Sequence, residues 1–85
     1  MYFLYILKCK DNTLYTGIAT DLARRLKEHN ESKIGAKYTK ARRPVKLVYS
    51  KKFKNRSTVS KAEARIKALS RIQKLEIIRK EMTKS

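Results

Sequence analysis

Cysteine occurs once in the 85 residues, at Cys9, so the chain can close no internal disulfide and can hold no zinc through a cysteine cluster. Acidic residues are also scarce: 7 Asp and Glu stand against 23 Lys and Arg, a formal net charge of +16. Such a balance repels basic partners and attracts polyanions, of which nucleic acid is the first candidate. No apolar run approaches the roughly 20 residues that cross a bilayer. YFLYIL at the N-terminus is too short, and too rich in aromatic and branched residues, for the apolar region of a signal peptide. Basic membrane-surface helices carry large apolar residues opposite their charges, whereas the cations here straddle a loop and a strand. These absences predict a soluble cytoplasmic protein with no membrane partner, the nucleoid being the natural place for a DNA-bound fraction. Internal repeats and low-complexity linkers are missing too. At 85 residues and 41% hydrophobic content, residues 1–85 are expected to form one domain around one modest core.

The residues present arrange into a short series of elements. YFLYILKC (2–9) and LYTGIA (14–19) read as strands joined by the turn chemistry of KDNT, which is a hairpin. Thr20 as N-cap and Asp21 as first-turn acid precede a helix from Leu22 to Asn30. Residues 31–43 show no clear period and read as a long mobile loop. Pro44 opens a third strand, PVKLVYSKKF, whose alternation puts Val45, Leu47 and Tyr49 on one buried face. Asn55 to Ser57 supply a cap, and Val59, Ala62, Ile66 and Leu69 form the apolar stripe of a second helix. Ser70 and Gln73 form a capping box for a third helix with the stripe Ile72, Leu75, Ile78 and Met82. The predicted fold is α+β, a small three-stranded antiparallel sheet flanked by three helices in the order β-β-α-β-α-α.

The positive charge is one-sided. Between Glu31 and Glu63 there is no acid, and the candidate polyanion face comprises Lys33, Lys37, Tyr38, Lys40, Arg42, Arg43 and Lys46. Within the first helix, Leu22 and Leu26 mark the inner face, and Arg25 and His29 flank it, while Arg24 and Lys27 point to water. A half-buried arginine with a histidine one turn on is costly to desolvate without partners or an anionic ligand; the alternative is an arginine whose stem packs on the core rim and whose head stays wet. Glu63 raises a similar question, because it falls between Val59 and Ile66 on the apolar face of its helix. It reads either as half of a capping box with Ser60 or as a ligand for a hard divalent cation, which needs only one or two carboxylates beside water and substrate phosphate. Tyr5 and Tyr15 stand one on each strand of the hairpin. Shared chemistry at one phosphate would need both on one face, which requires an odd-numbered connection, pairing Cys9 with Tyr15, or a bulge.

Together these residues resemble the GIY-YIG nuclease family over nearly the whole chain, from about Phe3 to Arg79. FLY (3–5) stands at the first motif, YTG (15–17) at the second, Arg25 ten residues beyond the second tyrosine, His29 four further on, and Glu63 in the later helix. Phe3 replaces the first glycine and Thr16 the usual branched residue of the second motif; neither is a reacting group. GAKYTKARRPVKLVYS and the end shortly after Glu63 look closest to the standalone bacterial members, which lack an additional DNA-binding domain. The resemblance implies a metal-dependent endonuclease that hydrolyses DNA phosphodiesters, structure-selective rather than sequence-specific, with a role in repair or recombination. One Mg²⁺ or Mn²⁺ would be held by Glu63, Arg25 would clamp a non-bridging oxygen, one tyrosine would act as or relay to the general base while the other orients water, and His29 would relay a proton or bond phosphate. A phenol near pKa 10 is a poor base at neutral pH, so neighbouring cations are expected to lower it. No small-molecule cofactor is implied, and a protein partner would serve targeting only. The competing expectation is a non-catalytic basic protein that binds DNA or RNA as an accessory to another machine.

Overall fold

A computed structural model describes residues 1–31 and 37–82. Strands β1 (Tyr2–Lys8), β2 (Leu14–Ala19) and β3 (Lys46–Phe53) form one antiparallel sheet in the order β2-β1-β3. Helix α1 (Leu22–Glu31) follows the hairpin, a single helical turn α2 (Lys37–Lys40) precedes β3, and α3 (Arg56–Lys67) and α4 (Arg71–Met82) follow it. This is the expected α+β order, with α2 added inside the segment read as a loop.

β1 is central because its sequence is apolar on both sides: Leu4 to Leu7 are all buried. Its alternation divides the interior between two faces rather than forming the single core expected. Leu4 and Ile6 pack with Val59, Ile66 and Ile78 under α3 and α4, while Tyr5 and Leu7 pack with Cys9 and Val45 beneath Leu22 and Leu26 of α1. Caps fix where the helices start. Asp21 Oδ1 accepts from Arg24 N, so Asp21, not Thr20, caps α1. Asn55 caps α3 through Thr58 N, and Ser70 and Gln73 exchange the two bonds of the expected capping box at α4.

Two expected apolar faces are wrong. In β3, Leu47 is 39% exposed, because the register with β1 shifts between the pairs Ile6–Tyr49 and Leu7–Leu47. The extra residue, Val48, breaks the period of two, so Val48 and Tyr49 both turn to the α3/α4 side. In α4, Ile72 is 71% exposed and Leu75 is also exposed, while Ile78 is buried; the Met82 side chain lies outside the described residues. The sheet is narrow, α3 already covers β1 and β2 with Val59 and Ile66, and α4 adds Ile78 to that cluster while Ile72 and Leu75 stay outside it.

Candidate active site

The hairpin connection spans Cys9 to Thr13, an odd number of residues, and pairs Leu7 rather than Cys9 with Tyr15. The parity is the same, so Tyr5 and Tyr15 share the face beneath α1, with ring centroids 6.5 Å apart. Opposite Tyr5 on β2 stands Gly17. A Cβ there would lie 2.5 Å from the Tyr5 hydroxyl oxygen and 2.6 Å from Cζ, so the phenol occupies space that only a glycine leaves open. Phe3, where the family has glycine, pairs with Ala19, and the β1–β2 register runs unbroken from there to Lys8–Leu14.

α1 brings His29 over the two phenols. The imidazole is wholly buried, its ring centroid lies 5.2 Å from Tyr15 and 5.8 Å from Tyr5, and Nε2 is 2.9 Å from the Tyr5 hydroxyl. Nδ1 lies 2.7 Å from Oγ1 of Thr39, also fully buried, in α2. This contact anchors α2 to α1, which is why a helical turn stands where no period was visible. The Arg25 guanidinium lies beside Tyr5 and favours its ionised form. Neutral His29 holds one ring proton, and each of its nitrogens meets a hydroxyl, Tyr5 at Nε2 and Thr39 at Nδ1. Burial, with Arg25 and Arg43 nearby, lowers the His29 pKa to about 4 despite Glu28. Burial raises Tyr5 above its ordinary value, and Arg25 offsets only part of that. The expectation of a cation-lowered phenol fails here because desolvation outweighs the guanidinium.

Arg25 also bonds Glu28 at 2.9 Å, and Glu28 accepts from Arg24 at 3.2 Å. Both arginines hold the Glu28 carboxyl below its usual range. Beside them a cleft of about 510 Å³ opens between the start of α1 and α3, lined by Arg24, Arg25 and Glu28 on one side and Arg56, Ser60 and Glu63 on the other. α3 begins at Arg56 with Asn55 as cap, so the Ser60–Glu63 capping box does not form. Glu63 is instead one-quarter exposed and faces the cleft, 3.3 Å from the exposed Lys67 ammonium. Among the described residues no three His, Cys, Asp or Glu cluster. Of the acids that line the cleft, Glu28 is paired with Arg24 and Arg25 and Asp21 caps α1, so Glu63 is the carboxylate placed to take a hard ion such as Mg²⁺ or Mn²⁺, which keeps most of its water; the set does not suit zinc.

Of the five residues singled out in the sequence, Arg25 and Glu63 line the cleft, and Tyr5 and His29 lie beneath Arg25 with Tyr15 against them. The polyanion residues scatter. Lys40 and Lys46 are exposed, but Arg42 bonds Asp11 at 3.0 Å, and Arg43 bonds the carbonyls of His29 and Glu28 at the end of α1. Arg43 thus closes a helix C-terminus. Lys33 and the side chains of Lys37 and Tyr38 lie outside the described residues. Thr39, Gly17 and Glu28 were not singled out. An isolated threonine carries no sequence signal, whereas the glycine could have been read from its place after Tyr15 in a strand.

The family model described as the GIY-YIG catalytic domain matches residues 1–76. A UPF0213 protein of Syntrophus aciditrophicus is 53% identical over 77 residues, 91% of this chain and 88% of that protein. Among solved structures, a protein of E. faecalis determined by NMR in solution is 41% identical with a TM-score of 0.67, covering 99% of this chain and 88% of that one. A UPF0213 protein from Bacillus halodurans, also determined in solution, is 42% identical with a TM-score of 0.59, covering 92% and 83%.

Proposed function

The chain belongs to the GIY-YIG catalytic-domain family, and from that premise we propose that it is a divalent-metal-dependent endonuclease that hydrolyses DNA phosphodiesters at the cleft between α1 and α3. The observation that carries this is the meeting of Arg25 and Glu63 in one cleft, with Arg25 beside the Tyr5 phenol that is hydrogen-bonded to His29. Glu63 would hold one Mg²⁺ or Mn²⁺, which would supply positive charge to the scissile phosphate and the leaving oxygen.

The chain's own groups do the rest. Arg25 turns its guanidinium to a non-bridging phosphate oxygen, where the charge of the transition state grows. The attacking water gives its proton to the Tyr5 oxygen as Tyr5 passes its own proton to Nε2 of His29. Because the free phenol is held protonated and the imidazole has a pKa of about 4, these transfers accompany attack rather than precede it. Tyr15, the more exposed phenol, orients the water. His29 is buried away from substrate and acts through Tyr5 as a positioning and proton-accepting residue. The net charge of +16 favours contacts to the phosphate backbone, so recognition is by structure rather than sequence, which suits repair or recombination intermediates.

Single-turnover cleavage of labelled duplex, flap, branched and single-stranded DNA tests the proposal. Mg²⁺ or Mn²⁺ should support cleavage and EDTA should stop it. Glu63→Gln should abolish cutting while metal-free binding holds or strengthens, and Arg25→Ala should slow cutting by about 10²-fold or more with a modest loss of affinity. Lys27→Ala, which removes an exposed charge from the same helix, should leave the rate unchanged. Cleavage by Glu63→Gln at the parent rate would return Glu63 to a surface ion pair with Lys67.

A further inference from the structure

We propose that Lys8, Lys10 and Lys46 form a second phosphate-contact site, which grips the backbone of the same DNA about 20 Å from the cleft. The inference rests on the nuclease reading for the DNA in the cleft, but not on cleavage. At the end of the sheet remote from Tyr2 lies a separate pocket of about 250 Å³, lined by these three lysines with Cys9, Asn12 and Pro44. Lys8 and Lys46 stand directly opposite each other in the β1–β3 ladder, an arrangement that destabilises a sheet unless an anion lies between the charges. The nearby acid, Asp11, is already engaged by Arg42 and Thr13. The walls are held in place: Cys9 N bonds Thr13 O, Asn12 N bonds Cys9 O, and Lys10 N bonds Arg42 O. Among the described residues the pocket is thus a preformed positive site with no carboxylate paired to its lysines.

Its distance from the cleft follows from β1, because Tyr2 lines the cleft and Lys8 the pocket. Six steps along a strand span about 20 Å, the length of about six base pairs of duplex. A single DNA segment of that length is long enough to reach both. A duplex of about 12 base pairs should engage both sites together, whereas one of 4 base pairs should reach only one at a time.

Binding in EDTA, followed by amide NMR shifts and by fluorescence anisotropy against salt, tests this. With the 12-base-pair duplex, amides of Lys8, Lys10, Asn12 and Lys46 should move along one saturation curve with those of Ala19 to Arg25. With the 4-base-pair duplex the two groups should follow separate, weaker curves. Replacing the three exposed lysines by alanine should reduce the salt slope on the longer duplex by about two to three units. Amides at the pocket that stay still, or that saturate apart from the cleft on 12 base pairs, would overturn the proposal, as would an unchanged slope. So would equal shifts from inorganic phosphate and from the 12-base-pair duplex, which would mark a free-anion site. Because these readouts need no chemistry, a protein that binds this way but never cuts would refute the nuclease reading and leave the pocket standing, and the reverse result would do the opposite.

Discussion

Acidification from pH 7 to pH 5 should destabilise the protein through His29 alone. The chain has one histidine, and in the folded state its pKa is about 4 against an ordinary value of 6.5. Below pH 6.5 the unfolded chain takes up a proton that the folded chain refuses, so stability is complete above that value and falls as pH drops. The difference amounts to about 2 kcal/mol at pH 5 and about 3 kcal/mol at pH 4. The carboxyls of Asp11 and Glu28 are both held below their ordinary range, so their contributions persist above it and are lost only at lower pH. The interval from pH 7 to 5 therefore isolates the imidazole. Urea unfolding followed by circular dichroism at pH 7, 6 and 5 measures the loss. His29→Gln, whatever its absolute stability, should show a flat profile across the same interval. A parent protein equally stable at pH 7 and pH 5, or a variant with the parent's slope, would show that the imidazole is not held neutral between Tyr5 and Thr39.

Thr39→Val keeps the shape of the side chain but removes the hydroxyl that meets buried His29 Nδ1; it should cost about 1–3 kcal/mol in urea unfolding and lower the single-turnover rate more than DNA affinity. Gly17→Ala forces the Tyr5 ring off His29, costing about 1–3 kcal/mol of stability by overpacking and most of the cleavage rate. Thr16→Val should do the reverse. The Thr16 Oγ1 is buried with no hydrogen-bond partner among the described residues, so its removal should stabilise by about 1 kcal/mol and raise the Tm by about 4–8 °C, with cleavage unchanged.

The strands, the three long helices and the Ser70–Gln73 box were legible because each rests on local chemistry: alternation, apolar periodicity and side chains that reach their own backbone. The parity of Tyr5 and Tyr15 was legible for the same reason, since a period of two leaves only the connection to settle it. What failed depended on distant partners. Leu47 lost its burial to a bulge at Val48 that nothing within PVKLVYS marks, and Ile72 and Leu75 stayed exposed because α3 had already filled the face they would have covered. The basic run carried the least structural detail. Charge along a sequence shows attraction to polyanions but not which cations are free to meet them, and Arg42 and Arg43 are engaged in holding the hairpin loop and the end of α1.

The same division explains the chemistry of the site. Its exposed members, Arg25 and Glu63, are charged and could be picked out because charge is unexpected on an inner helix face. Its buried members are neutral, and their behaviour depends on a chain of contacts across four elements: Gly17 on β2 admits the phenol of Tyr5 on β1, which bonds His29 on α1, which bonds Thr39 on α2. Each contact constrains the next. Without the space at Gly17 the hydroxyl cannot reach Nε2, and without Thr39 the buried Nδ1 loses its hydrogen-bond partner. Desolvation favours the neutral form of both groups, so under the proposed nuclease reading a proton would move through them only as charge develops beside Arg25. A phenol lowered by cations, the simpler arrangement read from the sequence, would have needed those cations in the core, where burial would cost more than the shift returned.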